Sequence, residues 1–348
     1  LGSHLPEMGH LTLSYIQKEF LHFLGRGFSP CRVMLLTMMF AMGCNGLDND
    51  LSYAVSSQAA VLVCTDSSGA RQLVRIENGM VIPNWNASLG VANASWGQVS
   101  IQSNRFWISD VHSNRLIKVH PSGTVEAELT GFSVVPHVFA VGERQILLAD
   151  SSTGRVGFFD LRRGDYVQTN TSVTQARNCL YNGGKFYLQH GRDSITIWDE
   201  FGLSPRAAVA VGTVVDEMQF DSFRNLRVLS HDSNTTYVAI IGGNYAGIAV
   251  PSYSFDYDKV RYTPYFNSRF GSEVTEDVLL RDGFLQTFRG ESVWPDSLEN
   301  FEVDFFEGHL YAWVGDSLKA HNLANSELLW SVPFPYRISK ACFLFRED

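Results

Sequence analysis

Three histidines and two acids are the side chains of this sequence best suited to chemistry. His137 follows Pro136 and opens the apolar run Val138 to Val141. His190 and His231 each follow a β-rich run, Phe186 to Gln189 and Leu226 to Leu229. Asp216 and Glu217 precede Met218 to Phe220. Imidazoles with carboxylates make up the usual ligand set for a zinc-like ion, and they are also a general acid–base set. Spacing alone does not bring the five together. A histidine at a strand end is equally a surface or hydrogen-bonded residue, and exposed carboxylates mostly serve solubility. No Cys-x-x-Cys, His-Glu-x-x-His, glycine-rich phosphate loop or Gly-x-Ser-x-Gly occurs, so the common enzyme motifs are missing and no catalytic residue is assigned.

The elements that position these residues repeat. In Asp66…Arg71, Asp110…Arg115 and Asp150…Arg155, an Asp closes an apolar run and an Arg five positions on opens the next. The copies lie 44 and 40 residues apart, a period that marks an array or propeller. An Asp at a strand end accepts N–H bonds from the turn, and the Arg can pair with it across the hairpin. A device present in several copies reads as structural rather than catalytic.

Phe106 to Gly123 resembles a repeat of the NHL type. Ile195-Thr196-Ile197-Trp198-Asp199 resembles the end of a WD40 blade. Leu310-Tyr311-Ala312-Trp313 with Ser326 to Ser331 is similar to the quinoprotein-like repeat. These families share the β-propeller, so the resemblance implies an all-β propeller over residues 59–348. Four-strand groups are expected at 99–129, 138–168, 178–211, 218–250 and 301–331. The span from Tyr253 to Asn300 shows one clear hairpin, Val278 to Leu280 with Phe284 to Phe288. Counting it as a blade gives seven; as an insertion, six. The first module, Ala60 to Cys64, Gln72 to Ile76 and Met80 to Ile82, lacks an innermost strand, while Ile338 to Phe345 is a lone strand. A closed ring removes open edges, so the last strand should complete the first sheet. Trp107, Phe139, Phe159, Trp198, Phe220, Trp313 and Trp330 are expected between blades. In a propeller the five site candidates, His137, His190, His231, Asp216 and Glu217, lie near one mouth of the central channel. Some propeller lactonases and lyases hold a metal there.

Residues 1–43 differ. Leu1 to Glu7 reads as an upstream extension. Lys18, Arg26 and Arg32 precede Val33 to Gly43, an eleven-residue run interrupted by Thr37. That is the length of a signal-peptide core and too short to span a bilayer. It ends Ala41-Met42-Gly43-Cys44, which resembles a bacterial lipobox. The resemblance implies lipid on Cys44 and, with Asn45 following, sorting to the outer membrane. Ala41 stands where Leu is commoner. Residues 44–58 are polar and suit a tether.

The chain has 348 residues, 45% hydrophobic and 13% aromatic, enough to bury a core. Net charge is −9, and without residues 1–43 it is −10 (24 Lys and Arg against 34 Asp and Glu), with no basic cluster, which argues against nucleic acid. Cys64, Cys179 and Cys342 remain after Cys31 and Cys44 are set aside. Cys64 and Cys342 fall on adjacent strands of the closing sheet, nearly in register, and a disulfide there would staple the ring. Asn86, Asn93, Asn170 and Asn234 begin Asn-x-Ser/Thr triplets, which arise by chance at about this frequency. Gly315-Asp316-Ser317-Leu318 spells a GDSL-type hydrolase signature, but within a β hairpin rather than before a helix. The preferred reading is an exported, lipid-anchored, monomeric scaffold propeller in the cell envelope, without a cofactor, binding a protein or small ligand on one face. The alternative is a propeller lactonase, lyase or hydrolase with a channel metal.

Overall fold

The computed structural model describes residues 57–345 except 66–70, 78–79, 83–84, 92–95, 221–224, 242–246, 249–250, 257–259, 264–277, 282, 288–293, 295–296, 299, 305–308, 323–324 and 336. The segment expected as a signal and lipidation site, Cys44 included, lies outside the described residues. So do Asp66 and most of the tether. Contacts divide the chain between Tyr53 and Ala54, and every described residue belongs to the second unit.

The described strands form seven antiparallel-built sheets. In chain order they are β1 (Ser57–Thr65), β2 (Arg71–Glu77) and β3 (Met80–Ile82); β4 (Trp96–Gln102), β5 (Arg105–Asp110), β6 (Arg115–Val119) and β7 (Val125–Leu129); β8 (Val138–Val141), β9 (Gln145–Ala149), β10 (Arg155–Asp160) and β11 (Tyr166–Ser172). Then come β12 (Ala176–Asn182), β13 (Lys185–His190), β14 (Ser194–Asp199) and β15 (Ala207–Ala210); β16 (Val214–Phe220), β17 (Leu226–His231) and β18 (Thr235–Ile241); β19 (Gly247–Ile248) and β20 (Pro251–Asp256). Last are β21 (Val260–Thr263), β22 (Val278–Arg281) and β23 (Phe284–Thr287); β24 (Asn300–Asp304), β25 (His309–Val314), β26 (Ser317–Asn322) and β27 (Leu328–Pro333); and β28 (Arg337–Phe345). A single helical turn, α1 (Trp85–Ser88), follows β3.

The middle strands are buried on both faces, which is why β9 and β14 read as nearly unbroken apolar runs. The outermost strands β7 and β27 are mostly exposed. Hydrophobic clusters span neighbouring sheets. Trp107, Phe139 and Phe159 meet in one, with Ile146 and Phe132. Trp198 joins Phe158, Phe186 and Leu147 in another. Phe220 and Trp330 are only partly buried, because each lies toward an outer or terminal position of its sheet. Trp294, 1% exposed, occupies the equivalent place between the β21–β23 sheet and the last sheet, a role its loop sequence did not suggest.

The tail completes the first sheet, in the order β28-β1-β2-β3. Lys340, Ala341, Cys342 and Phe343 pair with Val63, Leu62, Val61 and Ala60. First strands of successive sheets pack together, β28 on β4, β4 on β8, β8 on β12, β12 on β16 and β16 on β21. A ring of such sheets closed by its last strand is a β-propeller.

Several expectations need correction. The outer strand of the β16–β18 sheet is Pro251–Asp256, not Ile248 to Val250. Proline has no N–H and is tolerated at the first residue of an edge strand. Gly247–Ile248 instead adds in parallel to Val209–Ala210 of the preceding sheet. The poorly patterned span does form a sheet, with Val260–Thr263 pairing β22 before the expected hairpin. β1 begins two residues inside the expected tether. Cys64 pairs with Ile338 and Cys342 with Val61. Cys342 lies four residues along β28 from the residue opposite Cys64, about 13 Å and far beyond disulfide reach. Cys342 is a buried free thiol. Among the described residues, no helix is long and apolar enough to cross a membrane.

Phe343 stacks on Tyr311 at 4.8 Å and lies 6.1 Å from Trp313, so the closing strand carries the seam to the last sheet. Phe343→Ala should cost about 3–5 kcal/mol. Urea unfolding followed by tryptophan fluorescence reads this directly, and a loss under about 1 kcal/mol would mean the seam bears little of the stability.

Candidate functional site

Each sheet's first strand and its third strand start at the same end of the ring, where its second strand finishes. Contacts between neighbours show that the sheets share this polarity. Gln189 at the end of β13 donates Nε2–H to the Val215 carbonyl near the start of β16, 2.9 Å. Arg192 and Asp193, in the β13–β14 turn, accept from Val215 and Val211 N–H at 3.0 and 2.8 Å. One end of the ring therefore gathers His137, Asp150, His190, Asp216 and His231. The opposite end carries the turns between first and second strands, and β1 sets out from it at Ser57.

At the His137 end, His190 and His231 close the second strands of successive sheets, where Asp150 stands in the sheet before them, while His137 precedes a first strand. His190 and His231 are hydrogen-bonded within their own sheets, and His137 stands beside a carboxylate of its own. His137 Nδ1 lies 3.1 Å from Asp150 Oδ1, with the imidazole one-third exposed. His231 Nδ1 lies 2.6 Å from Asp216 Oδ2. His190 Nε2 lies 2.7 Å from Thr196 Oγ1. Burial lowers the His190 pKa, and nearby Asp193 offsets part of that. Glu217 sits beside a β-bulge and accepts from Gln219 Nε2. A carboxylate beside Nδ1 orients the imidazole ring. Among the described residues, no group of three or more His, Cys, Asp or Glu is placed to hold a metal ion.

The repeated Asp–Arg device takes two forms. Asp110, 1% exposed, accepts Arg115 Nε–H at 3.0 Å and the Ser113 N–H at 3.2 Å. Arg115 also donates to Glu128 (2.7 Å) and to the Gly90 carbonyl (2.9 Å), fastening the hairpin to the segment after α1. Asp150 does not pair with Arg155, which is exposed. Its carboxylate accepts from the N–H and hydroxyl of both Ser152 and Thr153 at 2.6–3.2 Å. Gly154 makes this turn possible: its φ is +72°, and a Cβ there would meet the Val173 carbonyl at 2.0 Å. Asp160 and Asp232 use the same carboxylate-to-turn bonding without a following Arg pair.

One important carboxylate was invisible to repeat spacing. Glu200, 3% exposed, accepts N–H bonds from Arg144 (2.6 Å) and Gln145 (3.2 Å) of the preceding sheet. Its other oxygen accepts the Tyr181 hydroxyl at 2.8 Å. Burial and this bond push the Tyr181 pKa up to about 12. Gly142 leaves room for the carboxylate, since a Cβ would stand 2.6 Å from Glu200 Oε1. The only sequence signal was an acidic residue directly after the Trp198-Asp199 strand end.

No protein-family model matches the chain, and no curated protein matches it either. Solved structures do resemble it in shape. The computationally designed Ika8 protein is 11% identical with a TM-score of 0.50, over 81% of this chain and 90% of that one. The Myceliophteria thermophila Cps50 (Swd1) β-propeller domain is 11% identical with a TM-score of 0.49, over 71% and 88%. Hydrazine synthase of Kuenenia stuttgartiensis is also 11% identical, TM-score 0.48, over 69% and 87%. At such identity the likeness concerns fold alone.

Burial works against ionisation of Asp150, but its hydroxyl and backbone N–H bonds outweigh it and bring the pKa down to about 2. A carboxyl with a depressed folded pKa stabilises the fold above its unfolded pKa, and the gain is lost as pH falls through the folded value. The window is therefore pH 4 down to about 2. Wild-type stability should drop there by about 1–2 kcal/mol from this group, and Asp150→Asn should flatten the slope, read from denaturant midpoints against pH. At neutral pH, Glu200→Ala should cost about 2–4 kcal/mol by orphaning two N–H groups and a phenol. Glu200→Gln, which keeps one acceptor, should cost less in the same assay.

Proposed function

We propose that this chain is an exported, seven-bladed propeller scaffold of the bacterial cell envelope, anchored by lipid on Cys44. Its His137 end recognises a protein or small polar ligand, and the binding needs no cofactor. The observation that carries this reading is the way that end is built. His231 and Asp216 are partly exposed yet already bonded to each other, and the partly exposed His137 lies against the Asp150 carboxylate. A surface of pre-oriented acceptors and donors loses little freedom on binding, which favours recognition. The lipid anchor rests on the Cys44 context in the sequence. An acidic net charge disfavours nucleic acid as the partner.

Two measurements test the reading. Intact mass of the membrane-extracted protein should show a chain beginning at Cys44 and carrying diacylglycerol. An unmodified chain in the soluble fraction refutes the anchor. Photo-crosslinkers at His112 and Ser152, both exposed at the His137 end, should capture one discrete partner in cells. His137→Ala with His231→Ala should weaken capture at least tenfold while the fold persists. Unchanged capture refutes the recognition surface.

A further inference from the structure

The large apolar side chains left exposed are not scattered. Among the described residues they are Met80, Val81, Val125, Val167, Phe201, Leu203, Leu328 and Leu329, with Phe284 and Val314. The first eight share one place in the fold. Met80 and Val81 open β3, Val125 opens β7, Val167 stands second in β11, and Leu328 and Leu329 open β27. Each of these is the outermost strand of its sheet. Phe201 and Leu203, 63% and 49% exposed, occupy the turn leading to the outer strand β15. Outer strands start at the Ser57 end of the ring. The eight residues therefore form an apolar rim around that end, on five of the seven sheets.

A rim differs from a single groove. It is spread around a perimeter, which suits an extended flat phase better than one protein segment. Scattered exposed apolar residues are ordinary, but their collection at one end is not. The charges beside them fit a bilayer interface. Arg144 lies with its guanidinium 5.3 Å from the Phe201 ring centre, and Arg162 and Arg163 are exposed on the neighbouring turn. That turn is fixed to Arg144 by the Leu161 N–H, which donates to the Arg144 carbonyl at 2.8 Å. Arginines can reach headgroup phosphates while aromatic and aliphatic tips enter the acyl boundary. Glu143, Asp165 and Asp199 at the same end balance these cations, so anionic lipid is not required.

The chain's own path agrees. β1 leaves from this end, and twelve residues separate Ser57 from Cys44. An acyl chain on Cys44 would hold the Ser57 end against the lipid and turn the His137 end toward water.

We infer that the Ser57 end is a membrane-facing surface, whose rim of Met80, Val125, Val167, Phe201, Leu203, Leu328 and Leu329 rests in the headgroup region of a lipid bilayer. This deepens the lipid-anchored reading, and the test separates the two. Full-length chain carrying Cys44→Ser, which cannot be acylated there, is mixed with phosphatidylcholine vesicles and sedimented. It should co-sediment at millimolar lipid, with little change between low and high salt. The quadruple variant Phe201→Ser, Leu203→Ser, Leu328→Ser, Leu329→Ser should lower the partition coefficient at least tenfold, with circular dichroism unchanged. Phe284→Ser, away from the rim, should leave it alone. If the Cys44→Ser chain stays in solution, or the quadruple variant binds as well as its parent, the inference is overturned. Capture of a protein partner through Phe201 in place of vesicle binding overturns it equally. Acylated Cys44 without vesicle binding by the Cys44→Ser chain removes the rim alone, and vesicle binding without acylation removes the anchor alone.

Discussion

The antiparallel pairing of β28 with β1 is the constraint on which the structure depends. It joins residues almost three hundred positions apart, so its loop-closure cost is high and must be met by packing. The packing is two-sided. Ile338, Ala341 and Phe343 enter the cluster shared with Tyr311 and Trp313 of the last sheet. Cys342, on the opposite face of the same strand, enters the cluster of Val99, Phe106 and Ile108 in the next sheet. One strand thus seals both seams of the closing sheet. Without it, β1 would present an unpaired inner edge and two half-built clusters would face water.

Closure also decides the chemistry of the two ends. Once every sheet points the same way, alternate turns are sorted to opposite ends of the ring. Turns held by Asp110, Asp150 and Asp232 collect at the His137 end. Those containing Glu200, Phe201 and Arg144 collect at the Ser57 end. Residues remote in sequence become neighbours because they share a strand position, not because they share a motif. Gln98 illustrates this, accepting the Phe139 N–H at 3.0 Å from one sheet to the next.

The elements readable from sequence are those that follow from local rules. Asp110 and Arg115 are five apart because a short hairpin turn puts them opposite each other, as their direct pairing in β5 and β6 confirms. The closing strand was legible because an array with one sheet short of a strand and one strand left over has a single economical solution. What could not be read depends on contacts between sheets. Glu200 and Gly142 are linked only through the fold. Trp294 sits in a loop without periodicity. The outer strand β20 was misplaced because an apolar Ile248 to Val250 run outweighed the alternation Tyr253, Phe255. The cysteine register failed for a related reason: bulges near Ser57 and Val63 shift the β1–β28 pairing in a way no side-chain pattern records.

The carboxylates of the His137 end are more readily understood as fixtures than as bases. Asp150 accepts from four donors of one turn and has a pKa of about 2. A proton acceptor works best with a pKa near the working pH, and each donor on this carboxylate moves it further away. The same saturation holds the oxygen beside His137 in place. Asp216 does the equivalent for His231 with a single contact. Ordered side chains with bonded carboxylates behind them favour a ligand that needs a fixed pattern of donors and acceptors.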